Sequence, residues 1–386
     1  MIGGVHKLKV VITGWYGTET MGDRAILDGI LSVFCAVAGG KLSVRIGSLF
    51  PFYTERTIFE EREIFSRSAP GASIEIFSVK DRRELEDNVA SSDIVIMGGG
   101  PLMDLEELYI VRRCFACAKK RGIPAVVMGC GVGPLNNQRY REIVREIFSL
   151  SFGISFRDNI SVKTAEIFCG NAFDFRCLGD PAVISVMNYM KDFPGAPGLM
   201  EYCAVNFRGN PGGQYGRNVA TSDDNLRELV MCLSETFGAV RLVPMHTFFV
   251  GGDDRYYLAE IAQGIKSSVK CEVIHSPQNL HGLYECFKNA RACVGMRYHS
   301  VVMQTILNGN NAILDYTDPY SGKITGFVND LEGGGFYSGR MIQLQRNDEI
   351  FDPVKIADVL SRDLRFVFRC DDMRGKYADF LAGCLK

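Results

Sequence analysis

The chain has 386 residues, which is long for one hydrophobic core and comfortable for two. Hydrophobic residues at 47% and charged residues at 23% exclude a disordered chain. A formal net charge of −2 argues against a protein that grips nucleic acid through a strongly basic surface.

The 13 cysteines are an odd number, and Cys35, Cys114, Cys117, Cys203, Cys232 and Cys293 lie in apolar company. Free cysteine behaves as a small core hydrophobe, so the pattern fits a reducing compartment. Cys114 and Cys117 form the only C-x-x-C. No second pair or nearby histidine completes a zinc site, and a buried helix face is the expected reading. The start, MIGGVHKLKVVITGWYG, has too short an apolar run for a signal-peptide core. No stretch reaches the roughly 20 apolar residues of a membrane span. The expectation is a cytoplasmic enzyme. Peripheral association with a membrane needs no such span.

The first predicted strand is Lys9–Thr13, ending in a glycine-containing turn, after which Asp23 caps a helix that runs to about Val37. Short apolar runs follow at Ser43–Ile46, Ser73–Phe77, Asp93–Met97, Ala125–Met128 and Gly153–Phe156. Amphipathic stretches lie between most of them, at Thr54–Phe65, Leu105–Lys119 and Arg139–Leu150. Alternating apolar strands and helices predict a parallel sheet covered on both faces. A turn-rich break at about Asn188–Met200 reads as a linker. The alternation then restarts, with strands at Tyr202–Phe207, Val240–Pro244, Cys271–His275, Ala292–Gly295 and Asn311–Asp315. The helices between them are Asp223–Phe237, Asp253–Lys266, Asn279–Asn289 and Ser300–Asn308, and about 356–385 reads as helical. The predicted fold class is α/β, with two Rossmann-like doubly wound domains.

In such sheets ligands sit at the carboxyl ends of the strands, so the residues there carry the functional reading. Three glycine loops follow strands in the first half. One contains Gly17 and runs to Asp23, one is Gly98-Gly99-Gly100 followed by Asp104, and one surrounds Gly131. Glycine lets backbone approach a ligand or another loop. None of the three is G-x-G-x-x-G, so a dinucleotide is unsupported. Asp23 and Asp158 each read as a helix cap or as a site contributor. In the second half, Arg208 and His246 end two strands, and Arg297, His299 and Ser300 follow a third at a helix start. Arginine offers a planar fork of donors to carboxylate or phosphate, and histidine exchanges protons near neutral pH. The bland alternative is that Arg297 pairs with a nearby carboxylate and His299 is structural. Lys323 reads equally as a further cation of the site or as a surface lysine.

Taken together, GWYGTETMGD, MGGGPLMD, GCGVGP, FRDNIS, LGDPA, VPMH followed by Asp253-Asp254, and GMRYHSVVMQTILNG with Lys323 downstream resemble the polysaccharide pyruvyl transferase family over roughly residues 9–330. Two departures stand out. Thr20 sits where asparagine is frequent, and Gly309-Asn310-Asn311-Ala312 replaces a glycine-x-proline; altered acceptor specificity is one reading of both.

The resemblance implies a GT-B-like arrangement of two Rossmann-like domains facing across a cleft. The expected division is an acceptor side in 1–190 and a phosphoenolpyruvate side in 200–355, and the helices of 356–386 are candidates to pack back on the first domain. The resemblance also implies pyruvyl transfer from phosphoenolpyruvate to a sugar of a cell-surface polysaccharide precursor, with no further cofactor and no metal. His299 is the implied catalytic residue. Arg208, Arg297, Ser300 and Lys323 are the implied donor-binding set, and Gly17, Asp23, Gly99, Gly100, Asp104, Gly131 and His246 the implied acceptor or cleft set. A lipid-linked saccharide acceptor would bring the enzyme to the inner face of the cell membrane. A nucleotide-sugar glycosyltransferase and a non-catalytic sugar- or anion-binding protein remain the competing readings. Acceptor identity and oligomeric state leave no mark in these residues.

Overall fold

In the computed structural model, residues 7–18, 20–39, 41–209, 222–345 and 351–385 are described. The chain divides into two compact units. Unit 1 comprises residues up to 19, 23–185 and 370–386; unit 2 comprises 20–22 and 186–369.

Unit 1 is built on eight strands: β1 (Leu8–Thr13), β2 (Leu42–Ser48), β3 (Ser73–Ser78), β4 (Ile94–Gly98), β5 (Pro101–Leu102), β6 (Ala125–Val132), β7 (Gly153–Phe156) and β8 (Phe175–Cys177). Their order is β3-β2-β1-β4-β6-β7-β8, with β5 pairing β6 off that path, and every pairing is parallel. Unit 2 carries β9 (Met200–Asn206), β10 (Val240–Leu242), β11 (Cys271–Val273), β12 (Ala290–Gly295), β13 (Asn311–Asp315) and β14 (Met341–Gln343) in the order β11-β10-β9-β12-β13-β14, again all parallel. The two orders are the same doubly wound plan. The direction of strand addition reverses between β1 and β4 in unit 1 and between β9 and β12 in unit 2.

The strands are nearly uniformly apolar because both faces are covered, and β4 and β6 are buried along their whole length. One core face of unit 1 gathers Val11, Val95, Met97, Val127, Phe148 and Phe156 among its buried residues. Cys114 and Cys117 are free and buried on the helix Leu108–Lys120, as a core face requires.

Several details differ from the sequence reading. The predicted helix Thr54–Phe65 is two helices, Pro51–Glu60 and Arg62–Ser68, joined at Glu61. Glu61 is buried because its carboxylate receives Arg24 at 2.9 Å, and that ion pair fixes the corner. The strands β5, β8 and β14 are too short to show a period of their own. The linker begins later than expected, since the helix Pro181–Asp192 starts on a proline and Asp180 accepts the Ala182 N–H at 2.9 Å. The C-terminal stretch is divided. The helix Pro353–Ser361 belongs to unit 2 and packs on Asp223–Phe237, whereas Met373–Cys384 belongs to unit 1. There Tyr377 is fully buried and donates to the Gly179 carbonyl at 2.6 Å. No helix among the described residues is long and apolar enough to cross a membrane.

At the reversal point of unit 1, β1 and β4 run into glycine loops that press against each other. A Cβ on Gly14 would run into the Gly98 carbonyl oxygen. Gly100 has φ +70°, and a Cβ there would run into the Trp15 ring. Replacing Gly100 with alanine therefore imposes both backbone strain and a collision. The expected result is a loss of about 1–3 kcal/mol, read as a lower thermal unfolding midpoint. An unchanged midpoint would mean the loop is free to open.

Candidate functional site: cations at the strand ends of unit 2

The carboxyl ends of β9, β10 and β12 are tied together by Asn206. Its side-chain N–H donates to the Val243 carbonyl at 2.9 Å, and its side-chain oxygen accepts the Arg297 N–H at 3.0 Å. Asn206 is fully buried, so these bonds are made in a low-dielectric setting where losing one is costly. Arg208 leaves β9 two residues later, and Arg297 leaves β12 as the N-cap residue of the helix Tyr298–Leu307. Both arginines thus stand at the reversal point of the sheet, where doubly wound folds bind ligands.

Arg297 is held by Asp254, the first residue of the helix Asp254–Gln263. Its Nε lies 2.7 Å from Oδ2 and 3.0 Å from Oδ1, and Nη2 completes the fork on Oδ1. Asp254 is buried, and Oδ2 also accepts the N–H groups of Met245 and His246 at 3.0 Å each. One carboxylate therefore fixes the end of β10 and the guanidinium after β12. The bland expectation for Arg297, pairing with a nearby carboxylate, is what the structure records. The pair does not remove the arginine from the site, because the fork uses Nε and Nη2 only.

His246 is buried, and its Nε2 sits 2.6 Å from the Val250 carbonyl. A carbonyl only accepts, so Nε2 carries the proton and Nδ1 is the bare acceptor of the neutral ring. Nδ1 is buried with no hydrogen-bond partner. Burial and the Arg297 charge pull the His246 pKa down, and Arg208 adds to that, outweighing the Val250 hydrogen bond and Asp254. Neutral His246 is thus the state the site is built around.

Tyr316 follows β13 directly. Its hydroxyl accepts from Arg208 Nη1 at 2.9 Å, and the Arg208 guanidinium carbon lies 4.8 Å from the ring centre. Lys323 Nζ is 5.9 Å from the same ring. The loop between Tyr316 and Lys323 is anchored by buried Asp315, which receives Thr317, Thr325 and Gln343. Burial raises the Asp315 pKa to about 6 against those hydrogen bonds. Three cations from three elements, Arg208, Arg297 and Lys323, therefore bear on one phenol.

His299 lies in the first turn of its helix, with its ring against Gly22; a Cβ there would run into the imidazole. Segment 20–22 belongs to unit 2, where Thr20 bridges to His246 and the Met21 N–H donates to the Met245 carbonyl at 3.0 Å. Thr20 thus has a backbone task beside His246. Ser300 has a structural task of its own. It is fully buried and its hydroxyl donates to the Arg297 carbonyl at 2.7 Å, so it closes the helix start. The unusual Gly309–Ala312 segment also has a packing explanation. Asn310 is fully buried, donates to the Leu360 carbonyl at 2.9 Å and accepts from Arg340 at 3.0 Å.

The glycine and aspartate positions of unit 1 are mostly occupied with their own neighbours. A Cβ at Gly17 would meet the Phe50 N–H and the Ser48 hydroxyl at 2.7 Å, and one at Gly131 would lie 2.5 Å from the Arg157 guanidinium. Asp104 accepts the Asn136 N–H at 2.9 Å and so pins the following turn. Asp158 caps its helix through Ser161 at 2.6 Å and pairs with Arg157 at 3.2 Å. Asp23 is not the cap that precedes its helix: the helix is Met21–Ala38, and Asp23 sits in its first turn. Gly99 is the exception. Its open side faces the Tyr16 hydroxyl at 3.4 Å and Asp23 Oδ1 at 3.8 Å from an added Cβ. Burial, then Asp23 and Cys130, raise the Tyr16 pKa, so that buried hydroxyl stays protonated. Asp254, Tyr316, Asn206 and Tyr16 were not singled out as site residues from the sequence. Tyr316 was findable as the residue after a strand. Asp254 shows its role only through a contact across the fold.

Substituting Asp254 with asparagine leaves Arg297 beside a group that cannot take its fork. The expected loss is about 3 kcal/mol of stability, read by thermal unfolding. The His246 contribution has a defined sign. A folded-state pKa below the usual 6.5 favours the neutral ring, so stability is present above that value and is lost as pH falls below it. Unfolding midpoints of His246→Gln should accordingly fall less on acidification than those of the unaltered chain; equal slopes would contradict this.

Comparison with known proteins places these features in a family. The profile described as polysaccharide pyruvyl transferase matches residues 37–318, which includes Arg208, His246, Asp254, Arg297, His299 and Tyr316 and stops short of Lys323. No curated protein matches the chain. Among solved structures, a UDP-GlcNAc 2-epimerase from Methanocaldococcus jannaschii superposes with a TM-score of 0.60 at 12% identity, covering 98% of this chain and 100% of its own. The same organism's enzyme in complex with UDP-GlcNAc and UDP gives 0.59 at 13% identity, with 98% and 100% covered. A candidate UDP-N-acetylglucosamine 2-epimerase from Listeria monocytogenes gives 0.57 at 11%, with 96% and 95% covered. At such identities the likeness is one of fold, the α/β plan shared with GT-B enzymes. The chain belongs to the polysaccharide pyruvyl transferase family.

Proposed function

We propose that this protein transfers a pyruvyl group from phosphoenolpyruvate to two hydroxyls of a sugar in a cell-surface polysaccharide or its precursor. The observation that carries the reading is the convergence of Arg208, Arg297 and Lys323 at the strand ends of unit 2, beside buried His246. Phosphoenolpyruvate presents a phosphate and a carboxylate close together, and a set of cations on separate elements suits two anionic groups better than one.

The chemistry follows in balanced steps. A proton adds to the methylene carbon of the enol, giving positive character at the neighbouring carbon. A sugar hydroxyl attacks that carbon and loses its proton, phosphate leaves with its bond electrons, and a second hydroxyl closes the cyclic ketal as its proton passes to the departing phosphate. The products are the ketal and inorganic phosphate. His299 is the residue assigned to deliver the proton. His246, neutral and with Nδ1 bare, suits the role of accepting one from the attacking hydroxyl. The arginines and Lys323 hold the donor and take up charge on the departing phosphate. Phosphoenolpyruvate acts as co-substrate, and the reading requires no further cofactor.

The test is phosphate release from phosphoenolpyruvate by the purified protein with galactose-, glucose- and N-acetylmannosamine-containing acceptors, with mass detection of the sugar product. Acceptor-dependent release, with a product carrying a pyruvate ketal, is expected. His299→Ala should lower turnover by about 10²–10⁴-fold at an unchanged unfolding midpoint. Arg297→Ala is a poor probe, because it also strands the buried Asp254 carboxylate; Lys323→Ala is the cleaner removal of a cation. Turnover of a nucleotide sugar, with none of phosphoenolpyruvate, would contradict the proposal.

A further inference from the structure

The group at the centre of the cation cluster is not a carboxylate but the phenol of Tyr316. Its ring is buried, at 2% exposure, and its hydroxyl takes the Arg208 Nη1 hydrogen bond at 2.9 Å. The backbone carbonyl of Tyr316 is held by Gln345 at 2.7 Å, so the residue is fixed at both ends. A phenylalanine would fill the same apolar space. The hydroxyl therefore needs a reason of its own, and the reason is what it faces.

We propose that Tyr316 is a positioning residue of the anion site: its neutral hydroxyl holds the Arg208 guanidinium in place beside Arg297 and Lys323, and its ionised form competes with an anionic substrate for the same three cations. The inference rests on the reading of this cluster as the site for the donor's phosphate and carboxylate.

The charged groups around it give the proposal its sign. Arg208 comes from the end of β9, Arg297 from the end of β12 and Lys323 from the start of the helix Lys323–Asn329. Asp315, the last residue of β13, precedes it, and from the segment after β10 His246 stands near both arginines. Burial alone would raise the Tyr316 pKa. Lys323 first, then Arg208 and Arg297, outweigh burial and bring it down to about 8. Asp315, raised only to about 6, is ionised in that range, and His246, lowered, is neutral. Tyr316 is thus the group of this set that changes charge just above neutral pH. A bound dianion supplies the negative charge in its place and pushes the phenol pKa back up. By linkage, binding and ionisation of Tyr316 oppose each other.

Two measurements test this. The first is binding of sulfate, whose charge is constant over the range, and of phosphoenolpyruvate, by calorimetry from about pH 6.5 to 9.5. In the unaltered protein, Kd for both should rise by about tenfold per pH unit above the tyrosine pKa. In Tyr316→Phe that limb should be absent. At pH 7, Tyr316→Phe should bind sulfate about tenfold more weakly, because Arg208 has lost its anchor. The second is an ultraviolet difference titration of the unaltered protein. One tyrosine should ionise near pH 8 and shift upward when sulfate saturates the site, an outcome that needs no variant to fold. The limb with sulfate but no binding of phosphoenolpyruvate would leave the role of Tyr316 standing and remove the donor assignment. Phosphoenolpyruvate binding with the same pH profile in both proteins would overturn the role of Tyr316 and keep the donor. A tyrosine titration unmoved by sulfate, or no binding of either anion, would overturn the proposal.

Discussion

The site of unit 2 depends on one carboxylate. Asp254 receives the Arg297 fork and two backbone N–H groups, and those two amides belong to Met245 and His246 at the end of β10. A buried carboxylate with a full set of donors is the arrangement in which an ion pair specifies geometry rather than adding much net stability. What it specifies here is the relative placement of two strand ends and the two side chains that leave them. Asn206 repeats the tactic with neutral bonds, joining β9 to the other two. Rigid strand ends matter because electrostatic stabilisation works only when the donors are already in place as charge develops.

The two units use the same strand order for different ends. In unit 2 the reversal point between β9 and β12 carries arginines, a histidine and a phenol. In unit 1 the corresponding point between β1 and β4 carries glycines, of which Gly14 lies against the Gly98 carbonyl and Gly100 against the Trp15 ring. Topology places loops at one edge of the sheet; only side chains decide whether that edge can hold an anion. Gly99 is where unit 1 retains polar character, since the Tyr16 hydroxyl and Asp23 both face it.

The sheets were legible because strands covered on both faces are written as apolar runs: β7 and β13 match their predicted limits, and most others lie within two residues or so. β5, β8 and β14, each two or three residues long, carry too little pattern to be seen. The break at Glu61 was hidden because what makes it is a distant arginine, Arg24. For the site, residue type and position after a strand pointed to Arg208, His246, Arg297 and His299. Ser300, which the resemblance places in the donor set, spends its hydroxyl proton on its own helix start. The same logic passed over Tyr316, although that residue directly follows β13, and it gave no role to Asp254, whose arginine partner comes from another element. Asn310 is a like case: an unusual residue in a family motif is accounted for by hydrogen bonds to Leu360 and Arg340, residues distant in sequence.

The most direct test of the account is a crystal structure of the protein with phosphoenolpyruvate bound. The account predicts the donor at the ends of β9 and β12, with its phosphate and carboxylate contacting Arg208, Arg297 and Lys323, and the Asp254–Arg297 fork intact. A donor bound elsewhere, or an Arg297 that leaves Asp254 to reach it, would contradict the central claim.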